Sequence, residues 1–263
     1  MKLKELIART SLKAIGREIG LDVSIVNQQL HIIPLASDIR HRSDFMLPSK
    51  PMIDVCRADD FDFFHPLIEA GKLTTGQMHN AAERYFLGKT KNGQPIFWMI
   101  DDMLNPLDAH ILPDTWMSSL LKRREPILSC WRVQHCLFGL HLVSHTDGAD
   151  NADDTKPIAI VENEQSAVVL SELFPECLWM AYATIHHLSP DLLAPLSGRS
   201  VTFYPRTDPT LSTYLFFEDY ADLVRRNYDI NVTVDTVLED HASNDQKERC
   251  IDILDFILES LNK

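Results

Sequence analysis

Four apolar residues, Ile158 to Val161, run directly into Glu162-Asn163-Glu164, and a second junction of this kind is Tyr204-Pro205-Arg206-Thr207-Asp208-Pro209. In a parallel sheet, ligands bind outside the carboxyl ends of the strands, where loops are free to carry polar groups. Glu162, Glu164 and Asp208 are therefore candidate ligands for a divalent cation, with Glu162 and Asp208 as the candidate catalytic pair of a metal-dependent enzyme. In that enzyme reading Arg206 binds a substrate phosphate. His186 and His187, in a loop expected near the same edge, are candidate substrate contacts, because either ring could serve as acid, base or ligand. Adjacent side chains seldom point the same way, so a solvated loop with one ring packed is the plainer expectation for that pair.

Other chemistry-bearing stretches favour bland readings. Cys130 to His145 holds Cys130, Cys136, His141 and His145, but zinc needs four converging ligands and the spacing is too short for a finger. A buried apolar helix with incidental histidines is expected there. Lys122-Arg123-Arg124 could touch phosphate, yet a charged run followed by Glu125-Pro126 reads as a solvated helix end. Phe97-Trp98 and Trp131 could stack on bases and are expected in the core instead. There is no glycine-rich phosphate loop, no G-x-S-x-G elbow and no H-E-x-x-H.

The elements that must position Glu162 and Arg206 follow from periodicity. Pro157–Val161, Leu178–Tyr182, Val201–Tyr204 and Ile230–Val234 read as strands. Between them Glu164–Phe174, Ser189–Leu196 and about 211–227 read as helices, and a last helix is expected over Asn244–Leu261. This alternation implies a parallel sheet covered on both faces. Upstream, residues 1–19 have the pattern of an amphipathic helix, and one or two strands are expected around 23–35. Helices are expected over Phe61–Ala70 and Thr75–Phe86, and Asn92-Gly93 between extended segments is a hairpin signal. The polar stretch His145 to Lys156 reads as a domain boundary. The expected organisation is residues 1–60 of unknown role, an irregular α+β domain over 61–150 and an α/β domain over 156–263.

Length and charge narrow the function classes. A chain of 263 residues, 45% of them hydrophobic, is long enough for one large core or two modest ones. No apolar run reaches membrane-spanning length and no secretory leader is evident, so a cytoplasmic protein is expected. Five cysteines, an odd number, read as reduced thiols. The formal charge is −13, of which residues 156–263 carry −10. So acidic a region repels a phosphate backbone and could instead meet a basic partner, as an interaction module or nucleic-acid mimic.

Taken in series, these stretches resemble a known group. A glutamate after one strand and Asp-x-Asp after another is the metal-binding arrangement of Toprim domains. The chain is similar to a Toprim-like family of primase-related proteins from bacterial mobile elements. The resemblance rests on Lys156 to Ala183, Leu196 to Pro205, Gly88 to Asp101 and His135 to Val143. It implies a Toprim-like, three-layer α/β domain with about four parallel strands, and association with nucleic acid or a replication partner; the alternative it implies is a magnesium-dependent nuclease or primase using Glu162 and Asp208. The departures are specific. Arg206 stands where the family has the first aspartate of Asp-x-Asp, while Asp208 keeps the second; Gln165-Ser166 replaces Lys-Thr. The glycines usual after the second strand are absent from Tyr182 to His187. At about 4 Å and an effective dielectric near 20, one unit-charge pair is worth roughly 4 kcal/mol before solvent screening. Arg206 therefore opposes a cation, and it is expected to pair with Glu162 or Asp208 in place of magnesium. The implied protein is a degenerate, non-catalytic family member with no cofactor.

Overall fold

The structure is a computed structural model that describes the backbone of residues 21–26 and 29–34, together with residues 50–113, 115–119, 135–143 and 155–261. The chain divides into two compact units, Met1–Met46 and Leu47–Lys263. In the first, β1 (Leu21–Val26) and β2 (Gln29–Pro34) pair antiparallel from Leu21 opposite Pro34 to Val26 opposite Gln29, as the expected strands of this region. The helix expected over 1–19 lies outside the described residues.

The second unit begins with α1 (Lys50–Cys56), which puts Ile53 into a core with Trp98 and Ile111. Arg57 bridges to Gly88 and Ala58 N donates to Leu87 O at 3.2 Å, so residues 50–60 belong with this second unit and not with an amino-terminal segment. A turn of 3-10 helix over Asp62–Phe64 leads into α2 (His65–Glu69), and α3 (Thr75–Arg84) starts at a capping box between Thr74 and Gln77. Four strands then form an antiparallel sheet in the order β3 (Gly88–Lys89), β4 (Pro95–Ile100), β5 (Pro106–Ile111) and β6 (Thr115–Trp116). The hairpin signal at Asn92-Gly93 is met by the β3–β4 connection. Gly93 takes φ +81°, which a side chain would strain, and its N–H donates to Thr90 O at 2.9 Å.

The parallel sheet is built from β7 (Ile158–Val161), α4 (Glu164–Leu173), β8 (Leu178–Ala181), β9 (Ser200–Phe203), α5 (Ser212–Asn227) and β10 (Asn231–Val234). Its order is β10-β9-β7-β8, with every neighbour parallel. Side chains alternate across a strand. Ala159, Val161, Trp179 and Ala181 face a core shared with α3 and α4, while Ile158, Ile160, Met180 and Phe203 face one shared with α5 and the 3-10 segment Pro190–Leu196. Both faces are covered, which is why these strands read as unbroken apolar runs.

Two expectations are corrected. The segments 61–150 and 156–263, expected as separate domains, share one core: Tyr85, Phe97, Met99 and Phe138 pack with Val161, Val168 and Ala181. Phe138 also bridges antiparallel to Ala181 at the edge of β8. The boundary expected at 145–156 lies partly outside the described residues. The helix expected over Asn244–Leu261 is interrupted, after an additional short α6 (Val237–His241), into α7 (Asn244–Glu248) and α8 (Ile253–Leu261). Cys250 between them takes φ +52°, and Asp252 and Asp255 form a reciprocal cap that restarts the helix. The unwound turn frees Ile251 O to accept from Thr207 N at 3.1 Å. No described helix is long and apolar enough to cross a membrane.

Candidate functional site

The connection from β7 passes through α4 to β8 on one side, and the next connection returns to β9 on the other side of β7. Connections that diverge in this way open a crevice at the carboxyl ends of the two strands, the usual ligand position in such sheets. Glu162 leaves β7 there, and its backbone is held by Ala183 N, which donates to Glu162 O at 2.9 Å. Tyr204 N, just after β9, donates to Ile160 O at 2.8 Å, which brings the following residues alongside. Arg206 Nε lies 3.2 Å from Glu162 Oε2, with the side chains 49% and 24% exposed respectively. Of the two partners expected for Arg206, Glu162 or Asp208, the structure shows Glu162.

The ionisation of Glu162 reflects competing surroundings. Burial pushes its carboxyl up, Arg206 and Tyr182 pull it down, and the negative charges of Asp252 and Glu164 push it up again; the net direction is upward. Tyr182, buried beneath, is held well above the usual phenol range by burial and by the Glu162 charge. Its hydroxyl faces Glu162 without completing a well-formed hydrogen bond. Ala183 follows at φ +60°, the left-handed region that favours glycine.

Asp208 has a different task. Its Oδ1 accepts from Thr210 N at 2.7 Å, Thr210 Oγ1 at 2.5 Å and Ser212 N at 3.2 Å, and its Oδ2 accepts from Thr213 N at 2.7 Å. Burial alone would raise its carboxyl, but these hydrogen bonds outweigh it and hold the group well below the usual carboxylate range. Asp208 is the anchor of the start of α5. Thr207 is equally committed, since its Oγ1 donates to Glu239 Oε1 at 2.8 Å and Glu239 Oε2 pairs with Lys247 Nζ at 3.1 Å. Of the three residues in Arg206-Thr207-Asp208, only Arg206 reaches toward Glu162.

The residues that sequence reasoning missed are those that meet the first turn of α4, His110 and Asp252. Asn163 Oδ1 accepts from Gln165 N at 3.3 Å as the helix cap. Glu164, which the helix dipole alone could have explained, is 2% exposed and its Oε1 meets His110 Nδ1 at 2.7 Å. His110 stacks on Trp116 with ring centroids 4.8 Å apart, and Trp116 meets His135 edge-on at 5.9 Å. Ser166 Oγ donates to Asp252 Oδ2, which brings a further carboxylate toward Glu162. The sequence signal for His110 was alternation in Pro106–Ile111: Ala109 and Ile111 enter one core while Asp108 and His110 face the other way.

Other predicted positions fall elsewhere. His186 sits exposed in a 3-10 turn over Ile185–His187 whose start is capped by Thr184, and the backbone of His187 ends that turn. His141 is buried in a short 3-10 segment, Leu140–Val143, not the longer helix expected, and its Nε2 lies 3.0 Å from Arg84 O; burial lowers its pKa to about 4. Cys130, Trp131, His145 and Lys122-Arg123-Arg124 lie outside the described residues. Phe97 and Trp98 are fully buried, as expected of core residues. Among the described residues no three His, Cys, Asp or Glu side chains gather as a metal-holding group.

A family model described as "Domain of unknown function (DUF6371)" matches residues 62–207, a span that takes in the antiparallel sheet, β7 to β9 and both Glu162 and Arg206. No curated protein matches the chain.

Proposed function

The chain belongs to this family of unknown function, and from that premise we propose that its parallel-sheet half is a Toprim-like module whose metal position has been given over to an ion pair. On this reading the protein is a cytoplasmic, primase-related binding component of a mobile element. It associates with nucleic acid or with a replication partner and does not itself catalyse phosphoryl transfer. The observation that carries the reading is the contact between Arg206 Nε and Glu162 Oε2 at 3.2 Å, at the edge where a cation would have to sit.

As arranged, the side chains do not fit a divalent cation. Magnesium is held through carboxylate oxygens and tolerates little departure from octahedral geometry. Here one carboxylate faces a guanidinium, and both oxygens of Asp208 are occupied by backbone and hydroxyl donors. Freeing Glu162 means giving up its ion pair, and freeing Asp208 means uncapping α5.

The test is a paired assay on the full chain, with nicking and primer synthesis measured in magnesium and manganese beside binding to single-stranded and duplex DNA and RNA at increasing salt. The reading predicts binding that weakens with salt and no metal-dependent turnover. Turnover abolished by Glu162→Gln would overturn it in favour of the magnesium-dependent enzyme. Absence of nucleic-acid binding across the series would remove that partner and leave the replication protein.

A further inference from the structure

We propose that a pocket between the first turn of α4 and the antiparallel sheet holds one nucleotide, its base against Phe63 and its phosphate on Lys89. Where that nucleotide belongs to a single strand, the inference rests on the nucleic-acid association proposed above and gives it a site. The pocket has a volume of about 380 Å³, within the range of small-ligand sites. Phe63, Pro95 and Leu112 supply its apolar lining, and Asp62, Lys89 and Gln165 its polar side chains. The apolar lining is held in place by the fold. The half-buried Phe63 ring leans on Phe61, Phe64 and Phe97, at centroid distances of 5.5, 5.0 and 6.2 Å. Leu112 is tied on both sides: its N–H donates to Pro95 O at 3.2 Å, and its carbonyl accepts from Gln94 Nε2 at 2.9 Å.

The polar groups have bonding capacity to spare. Lys89 Nζ lies 5.2 Å from the centroid of the Phe61 ring and 4.0 Å from Asp62 Oδ1, a long contact to a carboxylate that is 94% exposed. Asp60, a second carboxylate that feels the Lys89 charge, is bound to His65 at 2.7 Å. An ammonium carries three donors, so Lys89 can turn them to an anion. The side-chain amide of Gln165 makes no hydrogen bond among the described residues, and it offers a donor and an acceptor together. An aromatic face, a cation and an amide are the groups that single-stranded nucleotides meet on proteins: bases stack on the ring, base edges take the hydrogen bonds and phosphate takes the charge. Inorganic phosphate can use Lys89 alone, and a nucleoside can use only Phe63 and Gln165. A nucleotide uses all three.

The test is calorimetric titration of the full chain with adenosine monophosphate, adenosine, inorganic phosphate and a short oligodeoxyadenylate. The nucleotide should bind at least roughly tenfold more tightly than adenosine or phosphate. Lys89→Gln and Phe63→Leu should each weaken it about tenfold, and Gln165→Ala should weaken it less. Asp62→Asn should tighten it, because the carboxylate that competes for Lys89 is gone. Lys89→Gln and Asp62→Asn should keep the wild-type melting temperature, and they carry the test if Phe63→Leu lowers it. Arg226→Gln removes a 77% exposed cation of α5, outside the pocket, and should leave affinity unchanged. An oligonucleotide weakened by the same pocket substitutions would make the strand the ligand. Nucleotide binding without oligonucleotide binding would support the pocket with a free nucleotide as its ligand, and would remove nucleic acid from the proposed function. Oligonucleotide binding that ignores every pocket substitution, with no binding of the nucleotide, would overturn the pocket and leave the proposed function standing. The pocket is also overturned if neither ligand binds, if phosphate binds as tightly as the nucleotide, or if affinity falls equally with Arg226→Gln.

Discussion

Glu162 and Glu164 leave the same turn two residues apart, and each meets a cationic or basic side chain, yet their surroundings differ. Glu164 points inward, where it is 2% exposed and meets His110 beneath the Trp116 ring. Glu162 points along the sheet edge toward Arg206, which is half in solvent. A buried pair is costly to break because the survivor is left without compensation, whereas a half-exposed pair retains water as an alternative partner. The inward pair therefore fastens the antiparallel sheet to α4, and the outward pair sits where replacement changes chemistry at little structural cost.

The contrast predicts a graded series in urea unfolding. Glu164→Ala, which removes the buried carboxylate that meets His110, should cost most, about 3–5 kcal/mol; a loss below 1 kcal/mol would remove the distinction between the pairs. Asp208→Ala comes next at about 2 kcal/mol, since it uncaps α5. Glu162→Gln should change stability by no more than about 1 kcal/mol at neutral pH. Ala183→Gly is the smallest effect and the only gain, about 0.5 kcal/mol, because glycine relieves φ +60° but costs entropy in the unfolded chain.

Acid titration separates Asp208 from Glu162 by sign. The folded-state carboxyl of Asp208 lies below its unfolded value, so its contribution is complete above about pH 4 and is lost as pH falls toward the lowered value. Glu162 has the opposite displacement, binding its proton more tightly when folded. Its contribution is fully present below the unfolded value and declines as pH rises through the folded one. Subtracting the stability profile of each variant from wild type should give slopes of opposite direction. Slopes of the same direction would show that the two carboxyls occupy equivalent environments.

Much of the parallel half was legible in the sequence because buried strands and amphipathic helices write their periods directly. The strands around Ile158, Leu178, Val201 and Val232 stand where the apolar runs place them. The strand-end rule likewise brought Glu162 and Arg206 together. Two features were not legible, and a third was misread. The His110–Glu164 contact joins residues 54 apart in the chain, and neither local pattern names the other. The break between α7 and α8 is fixed by Thr207 donating to Ile251 O, a tertiary bond that overrides helical periodicity. Asp208 resembled a metal ligand by motif, while the Thr210, Ser212 and Thr213 that follow it are the donors of a cap; that local signal was readable and pointed to structure.

The central claim, that Arg206 occupies the place of a cation beside Glu162, is tested most directly by calorimetric titration of manganese into wild type, Glu162→Gln and Arg206→Asp. The account predicts no saturable binding in wild type or Glu162→Gln, and binding gained in Arg206→Asp, where a carboxylate replaces the guanidinium. Tight binding in wild type that disappears in Glu162→Gln would contradict it.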